Sequence, residues 1–342
     1  MNNYFCVLPF YGMEYNISST NTPCCLLPTD TNLDELRQTI LSGQRHLACQ
    51  QCWALENQNK ISNRQILNQT FDHYADRDIN FVEEDCQQGK FNTQIVKLYT
   101  SNLCNSTCIT CDQGSSTAWA TLNNRSTFKI IDDSKLVDID YANIKMLSFV
   151  GGEPLFEKKN FQILQELINH KNTSCFISMV TNGSVNLPDK HLDILSQFKN
   201  LNFCLSIDGV GPVFEYLRYP LKWDQLLNNI EIYKKIGINL SVSYTLSNLN
   251  IFYHDQTVAW FNEMGLGYNF NLVTDPVYFS VNSLPKKTKD SLVTVQELFS
   301  PHTNNDDINF QTAIKELARQ DQLKDISISD YLPDLAVNFQ NI

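Results

Sequence analysis

"SNLCNSTCITCDQ", residues 101–113, sets three cysteines, Cys104, Cys108 and Cys111, in a C-x3-C-x2-C pattern directly after a β-rich run, "QIVKLYTS". The stretch decides the fold because five runs of the same kind follow it: "IKMLSFVGG", "CFISMVTNG", "LNFCLSIDG", "INLSVSYTLS" and "YNFNLVTD". Between them Phe161, Leu164, Leu167 and Ile168, then Leu192, Leu195 and Phe198, then Leu226, Ile230, Tyr233 and Ile236 recur at the spacing of a helix core face. Gly237 stops one helix, and Asp189 after Pro188 begins another. Six strands alternating with helices predict an α/β fold with a parallel sheet. Each run ends in a polar or glycine-containing turn, at the strand end that carries the active site in such folds. The cysteines therefore sit where chemistry is expected.

Working outward, 342 residues with 42% apolar and 18% charged content suffice for a full core in one large domain with additions, or in two. The formal net charge of -11, from 37 acidic and 26 basic residues, argues against non-specific binding to nucleic acid or to an anionic membrane. "MNNYFCVLPFYGMEYN" lacks a basic n-region and a long apolar run, and no apolar stretch is long enough to span a bilayer, so a cytoplasmic location without membrane association is expected. Eleven cysteines in C-x2-C and C-x3-C-x2-C units suit metal ligation in a reducing compartment better than a disulfide framework.

These features divide the chain into a cysteine-rich unit over 1–65, an acidic linker over 66–93, the alternating α/β region over 94–284, and a helical extension over 285–342. Cys86 in the linker reads as a free thiol, and Cys175 and Cys204 as small hydrophobes within strands. The extension carries no chemical signal.

A structural zinc site needs four ligands in closed tetrahedral geometry, yet no histidine stands near the three thiols; the nearest in sequence are His73 and His170. A cubane iron-sulfur cluster takes one thiolate per iron, so three cysteines leave one iron open to another ligand.

With "GGEP" (Gly151 to Pro154) after the second run, "TNG" after the third and "SIDG" after the fourth, the region over about 94–276 resembles the radical S-adenosylmethionine (SAM) superfamily. The resemblance implies a partial (β/α)6 TIM-like barrel. It also implies a [4Fe-4S] cluster on Cys104, Cys108 and Cys111 whose open iron chelates SAM, and reductive cleavage of SAM to a 5'-deoxyadenosyl radical that abstracts a substrate hydrogen atom. Gly151 and Gly152 would let the backbone approach the methionyl ammonium group, with Glu153 as acceptor and Pro154 fixing the turn. Ser206, on one face with Cys204 and Asp208, would contact the SAM ribose or carboxylate. Arg218 would pair with the SAM carboxylate, and Thr181 and Asn182 would neighbour ribose or adenine. Many members carry an aromatic residue before the third cysteine where this chain has Thr110, which leaves Phe149 or Tyr99 to cover adenine.

Cys6, Cys24, Cys49 and Cys52 resemble the ligands of the Twitch auxiliary-cluster half-domain, or half of the related SPASM domain, with Cys25 as a substitute for Cys24. The usual "DG" hairpin turn is replaced by "NISSTN". Four thiolates would complete an auxiliary iron-sulfur cluster suited to electron relay, and a four-cysteine zinc site is the alternative.

Relatives with such clusters commonly modify peptides, so a peptide or protein side chain is the expected substrate and a flavodoxin or ferredoxin the expected electron donor. Maturation of a small molecule or nucleotide is the alternative within enzymes, and a non-catalytic cluster-binding interaction module is the alternative outside them. No single residue is assigned as catalytic; Tyr244, Asn248, Asn271 and Asp275, at strand ends, are candidates for choosing the C–H bond.

Overall fold

In the computed structural model the described residues are 4–17, 21–75, 78–333 and 335–336. Seven strands, β1 (Gly12–Tyr15), β2 (Ile95–Tyr99), β3 (Met146–Val150), β4 (Phe176–Thr181), β5 (Leu201–Ser206), β6 (Asn239–Leu246) and β7 (Gly267–Leu272), follow one another across a sheet that does not close on itself. β2 to β7 are the six expected strands, and the open α/β sheet agrees with a partial TIM-like barrel. By contact the chain divides into two compact units. The first comprises Met1–Ser101, Lys129–Met179 and Leu187–Asn202, and the second Asn102–Phe128, Val180–Asn186 and Phe203–Ile342.

In the first unit β1, β2, β3 and β4 pair in parallel. β1 is the strand that sequence reading missed. It has four residues, too few for a clear alternation, and lies in the segment read as a separate cysteine-rich unit. Its place is fixed by pairing: Glu14 stands in register with Lys97 of β2, and the two side chains form an ion pair at 3.2 Å. Glu14 also bridges antiparallel to Thr22, with Glu14 N donating to Thr22 O at 2.7 Å. The "NISSTN" turn between them includes residues 18–20, which lie outside the described ones.

Residues 66–93, read as a linker, fold into most of the helix Asn63–Tyr74 and the helix Ile79–Gln87. Ser62 starts the first with a reciprocal capping box to Gln65. Phe71 and Val82 join Phe5, Val7, Leu8, Leu36 and Ile40 in a core that reaches Ile95 and Met146 of the sheet. The polar faces of these helices gave the stretch its linker-like composition. The helix Lys158–Asn169 buries Phe161, Ile163, Leu164 and Leu167, close to the expected stripe.

In the second unit β6 and β7 pair in parallel, and the helix Trp223–Lys235 buries Leu226, Ile230 and Tyr233, with the Tyr233 ring edge-on to Phe203 at 4.9 Å. The helix Asn304–Lys324 starts where Thr303 N donates to Asp306 Oδ2 at 2.8 Å and ends at Asp325 in the left-handed region. It buries Phe310, Ala313, Leu317, Gln320 and Lys324, a stripe that begins apolar and ends polar. Among the described residues no helix is long and apolar enough to cross a membrane.

Phe71 tests whether the helix Asn63–Tyr74 belongs to the core. Its ring lies 5.2 Å from that of Tyr11 and is 1% exposed. Phe71→Ala should cost about 3–5 kcal/mol in chemical denaturation. A side chain on a free linker would cost less than about 0.5 kcal/mol.

Candidate active site

The loop carrying Cys104, Cys108 and Cys111 has no helix or strand of its own, so its peptide groups take partners from elsewhere in the second unit. Thr107 N donates to Tyr219 O at 2.6 Å, and Ile109 N to Leu217 O at 2.8 Å. Thr117 Oγ1 lies 3.1 Å from both the N and the O of Cys104. The indole Nε1 of Trp119 donates to Cys108 O at 2.9 Å, and Gln320 Nε2 donates to Ile109 O at 3.1 Å. Ser106 Oγ stands between two of the thiols, 3.3 Å from Cys104 Sγ and 3.4 Å from Cys108 Sγ.

Two cations, the largely buried Arg218 and the buried Lys324, stand near this loop. Arg218 places Nη1 3.9 Å from Cys108 Sγ, while its Nη2 is ion-paired with Asp208 Oδ2 at 2.7 Å. Asp208 also accepts from Thr245 N at 2.8 Å. Burial pushes the Asp208 carboxyl up against the pull of Arg218, whereas in Arg218 burial is outweighed by Asp208 and Cys108, which raise it. Among the described residues the buried Nε of Arg218 has no hydrogen-bond partner. The second cation, Lys324, is 5% exposed and stands 4.7 Å from the centroid of the Trp119 ring. Burial holds its ammonium down to about 8, although Cys108 pulls it up. Burial, with Cys108 and Cys104 adding to it, pushes the Cys111 thiol up to about 12.

The "TNG" turn joins the loop through side chains. Asn182 Nδ2 donates to Asn105 Oδ1 at 2.9 Å, Asn105 Nδ2 donates to Ser184 Oγ at 2.9 Å, and Ser184 Oγ donates to Asn182 Oδ1 at 2.7 Å. Thr181 is fully buried and accepts from Gly183 N at 3.0 Å. Sequence reading missed Asn105 and Ser184, because a lone Asn and Ser in loops carry no spacing signal. Cys204 and Ser206 are half-buried along β5, and Asp208, just past its end, is buried. Tyr244 and Asn248 are fully buried, whereas Asn271 and Asp275 are exposed.

Thr110 and Cys111 open onto a cavity of about 480 Å³ whose other walls include Arg125, Asp275, Tyr278 and Arg319. On its other side Thr110 borders a small pocket with Asp208, Thr245, Ser247 and Asn250, a polar surface where an aromatic residue is common in the resembled family.

In the first unit Gly151 has φ +129°, and a Cβ there would lie 2.5 Å from Cδ2 of Tyr99 and 2.6 Å from Ser101 O. Gly152 N donates to Ser101 O at 3.0 Å. Glu153 is buried, and its Oε1 accepts from Leu155 N at 3.0 Å. Phe149 is fully buried in the core, and the Tyr99 ring packs on Gly151.

The N-terminal cysteines separate into two environments. Cys6, Cys24, Cys49 and Cys52 line one cavity with Leu8, Leu27 and Arg64, whereas Cys25 is exposed and lies beside Lys97. Burial pushes Cys6 up to about 12 and Cys49 up to about 11. Arg64 fixes the Cys6 segment: its Nη1 and Asn68 Nδ2 both donate to Phe5 O, at 2.7 and 2.8 Å, while Asn68 Oδ1 accepts from Val7 N at 3.0 Å. Glu56 holds the guanidinium through bonds of 3.0 and 2.8 Å. No disulfide links any of the eleven cysteines, and among the described residues no three Cys, His, Asp or Glu side chains gather as they would around one metal ion.

Residues 98–260 match the family model described as the Radical SAM superfamily, so this segment is a radical SAM domain, and the domain implies SAM and a [4Fe-4S] cluster. Curated protein sequences give no match. Among solved structures the chain is similar to native anSMEcpe with bound AdoMet (19% identity, 58% of this chain and 59% of that one, TM-score 0.44). It is also similar to Streptococcus suis SuiB bound to S-adenosylmethionine (12%, 82% and 69%, 0.42). A third is the radical S-adenosylmethionine methyltransferase TsrM from Kitasatospora setae (12%, 52% and 35%, 0.38). The chain thus spans less than two thirds of the length of anSMEcpe.

The close approach at Gly151 gives a direct test. Gly151→Ala should lower the thermal midpoint of the protein, whereas Gly265→Ala, also at positive φ but with nothing near its Cβ, should lower it less.

Proposed function

We propose that this chain, with its radical SAM domain over residues 98–260, is an enzyme that removes a hydrogen atom from a peptide or protein side chain, with SAM bound at a [4Fe-4S] cluster on Cys104, Cys108 and Cys111. The observation that carries the reading is the externally pinned loop, which offers three thiols next to the buried Arg218 guanidinium. A cubane places each thiolate on its own iron, so the sulfurs need not converge on one point as they would for zinc. A buried cation with a free Nε is the complement such an anionic group requires. When bound, the cluster and SAM supply the 5'-deoxyadenosyl radical.

The protein's part is to hold, orient and exclude water. Gly151 and Gly152 give the methionyl ammonium a close backbone approach, with Glu153 as its carboxylate partner. Ser206, Thr181 and Asn182 serve the ribose and adenine. Arg218 was expected at the SAM carboxylate, but its bonds to Asp208 favour a role as the charge beside Cys108. The cavity of about 480 Å³ at Cys111 is wide enough for a substrate side chain and its flanking backbone.

The cavity lined by Cys6, Cys24, Cys49 and Cys52 supports an auxiliary iron-sulfur cluster of the Twitch or SPASM kind, with Cys24 rather than Cys25 as ligand. Four thiolates leave no iron open, which suits electron relay from a flavodoxin or ferredoxin in the cytoplasm.

Iron and sulfide per chain after anaerobic reconstitution, with 5'-deoxyadenosine formed under a reductant, test the reading. Cys108→Ala should abolish 5'-deoxyadenosine and leave the N-terminal iron in place; an unchanged yield refutes the assignment. Cys24→Ser should remove about four irons and Cys25→Ser none. If both variants keep the wild-type count, the auxiliary cluster is refuted.

A further inference from the structure

The helix Asn304–Lys324, silent in the sequence, ends on the cysteine loop. Gln320 Nε2 holds Ile109 O, and Lys324 Nζ donates to Gln320 Oε1 at 3.1 Å. On its other side Lys324 stands over the Trp119 ring whose Nε1 holds Cys108 O. The two carbonyls that flank the Cys108–Ile109 peptide and its successor are thus bonded by Trp119 and Gln320, and one buried ammonium braces both donors. Carboxylates of its own helix, Glu316 and Asp321, act on Lys324 but make no ion pair with it among the described residues: Glu316 is bonded by Arg319, and Asp321 by Tyr216 and Ile328 N. The charge of Lys324 is therefore left facing the loop, buried and without a neutralising carboxylate.

We propose that Lys324 is a positioning residue that braces Trp119 and Gln320 against the loop and, with Arg218, supplies the positive charge that favours the reduced state of a cluster held by Cys104, Cys108 and Cys111. The inference rests on the cluster reading of those thiols. Reduction takes one electron from a low-potential one-electron donor and adds negative charge, so a nearby buried cation makes it more favourable. No bond forms or breaks at Lys324; its part is that of a nearby charge.

The experiment compares wild type, Lys324→Met and Lys324→Arg after reconstitution, by iron content and by a reductive titration with dithionite that follows the electron paramagnetic resonance signal altered by SAM. Lys324→Met should keep its iron and shift the midpoint to more negative potential, and Lys324→Arg should return it toward wild type. Should the Met variant lose iron, Lys324→Gln is read in the same way. A midpoint equal to wild type in an iron-bearing charge-removed variant overturns the role of Lys324, as does an Arg variant displaced as far as the Met one. If the wild type shows no SAM-responsive iron signal, the cluster reading itself falls.

Discussion

The structure of the site depends on hydrogen bonds that reach the cysteine loop from other elements, while within its own backbone one bond, from Cys111 N to Cys108 O at 3.1 Å, joins the cysteines. A segment of this kind has neither a helical nor a strand ladder, yet buried N–H and C=O groups must be paired. Here the segment Leu217–Tyr219 supplies carbonyls, Thr117 and Trp119 supply side chains from one short helix, and Gln320 supplies one from another. The loop's shape is thus largely imposed from outside it.

The same economy governs charge. A set of thiolates in a partly buried loop is costly unless cations are buried with it. On the proposed reading Arg218 and Lys324 would fill that need from separate elements; Asp208 orients the first of them. At the N-terminal cavity Arg64 plays an equivalent structural part, tied by Glu56 on one side and by the Phe5 carbonyl on the other.

Much of the fold was legible because β-rich runs closed by polar turns and helices with one apolar stripe leave strong local signals; β2 to β7 and the helix Lys158–Asn169 are examples. The three cysteines and the glycine turn were legible as short motifs, since Gly151 tolerates no Cβ. What escaped reading has a common cause, namely interactions between residues distant in sequence. β1 is too short to alternate, and the helices in 66–93 hide an apolar face behind acidic ones. Gln320 and Lys324 extend a core stripe with polar residues that make sense only against Ile109 and Trp119. Asn105 and Ser184 gain meaning only when Asn182 stands between them.

The pairing of β1 with β2 means that the N-terminal cysteine segment is woven into the first unit and is no detachable appendage. A protein trimmed to begin near residue 94 would uncover one side of β2, leaving its row of amides and carbonyls open and Lys97 without Glu14. An exposed, flat strand edge is a template for pairing with other chains. The N-terminal thiols therefore cannot be removed by trimming their segment without uncovering the sheet; they can be removed singly only by substitution within a segment the sheet still needs.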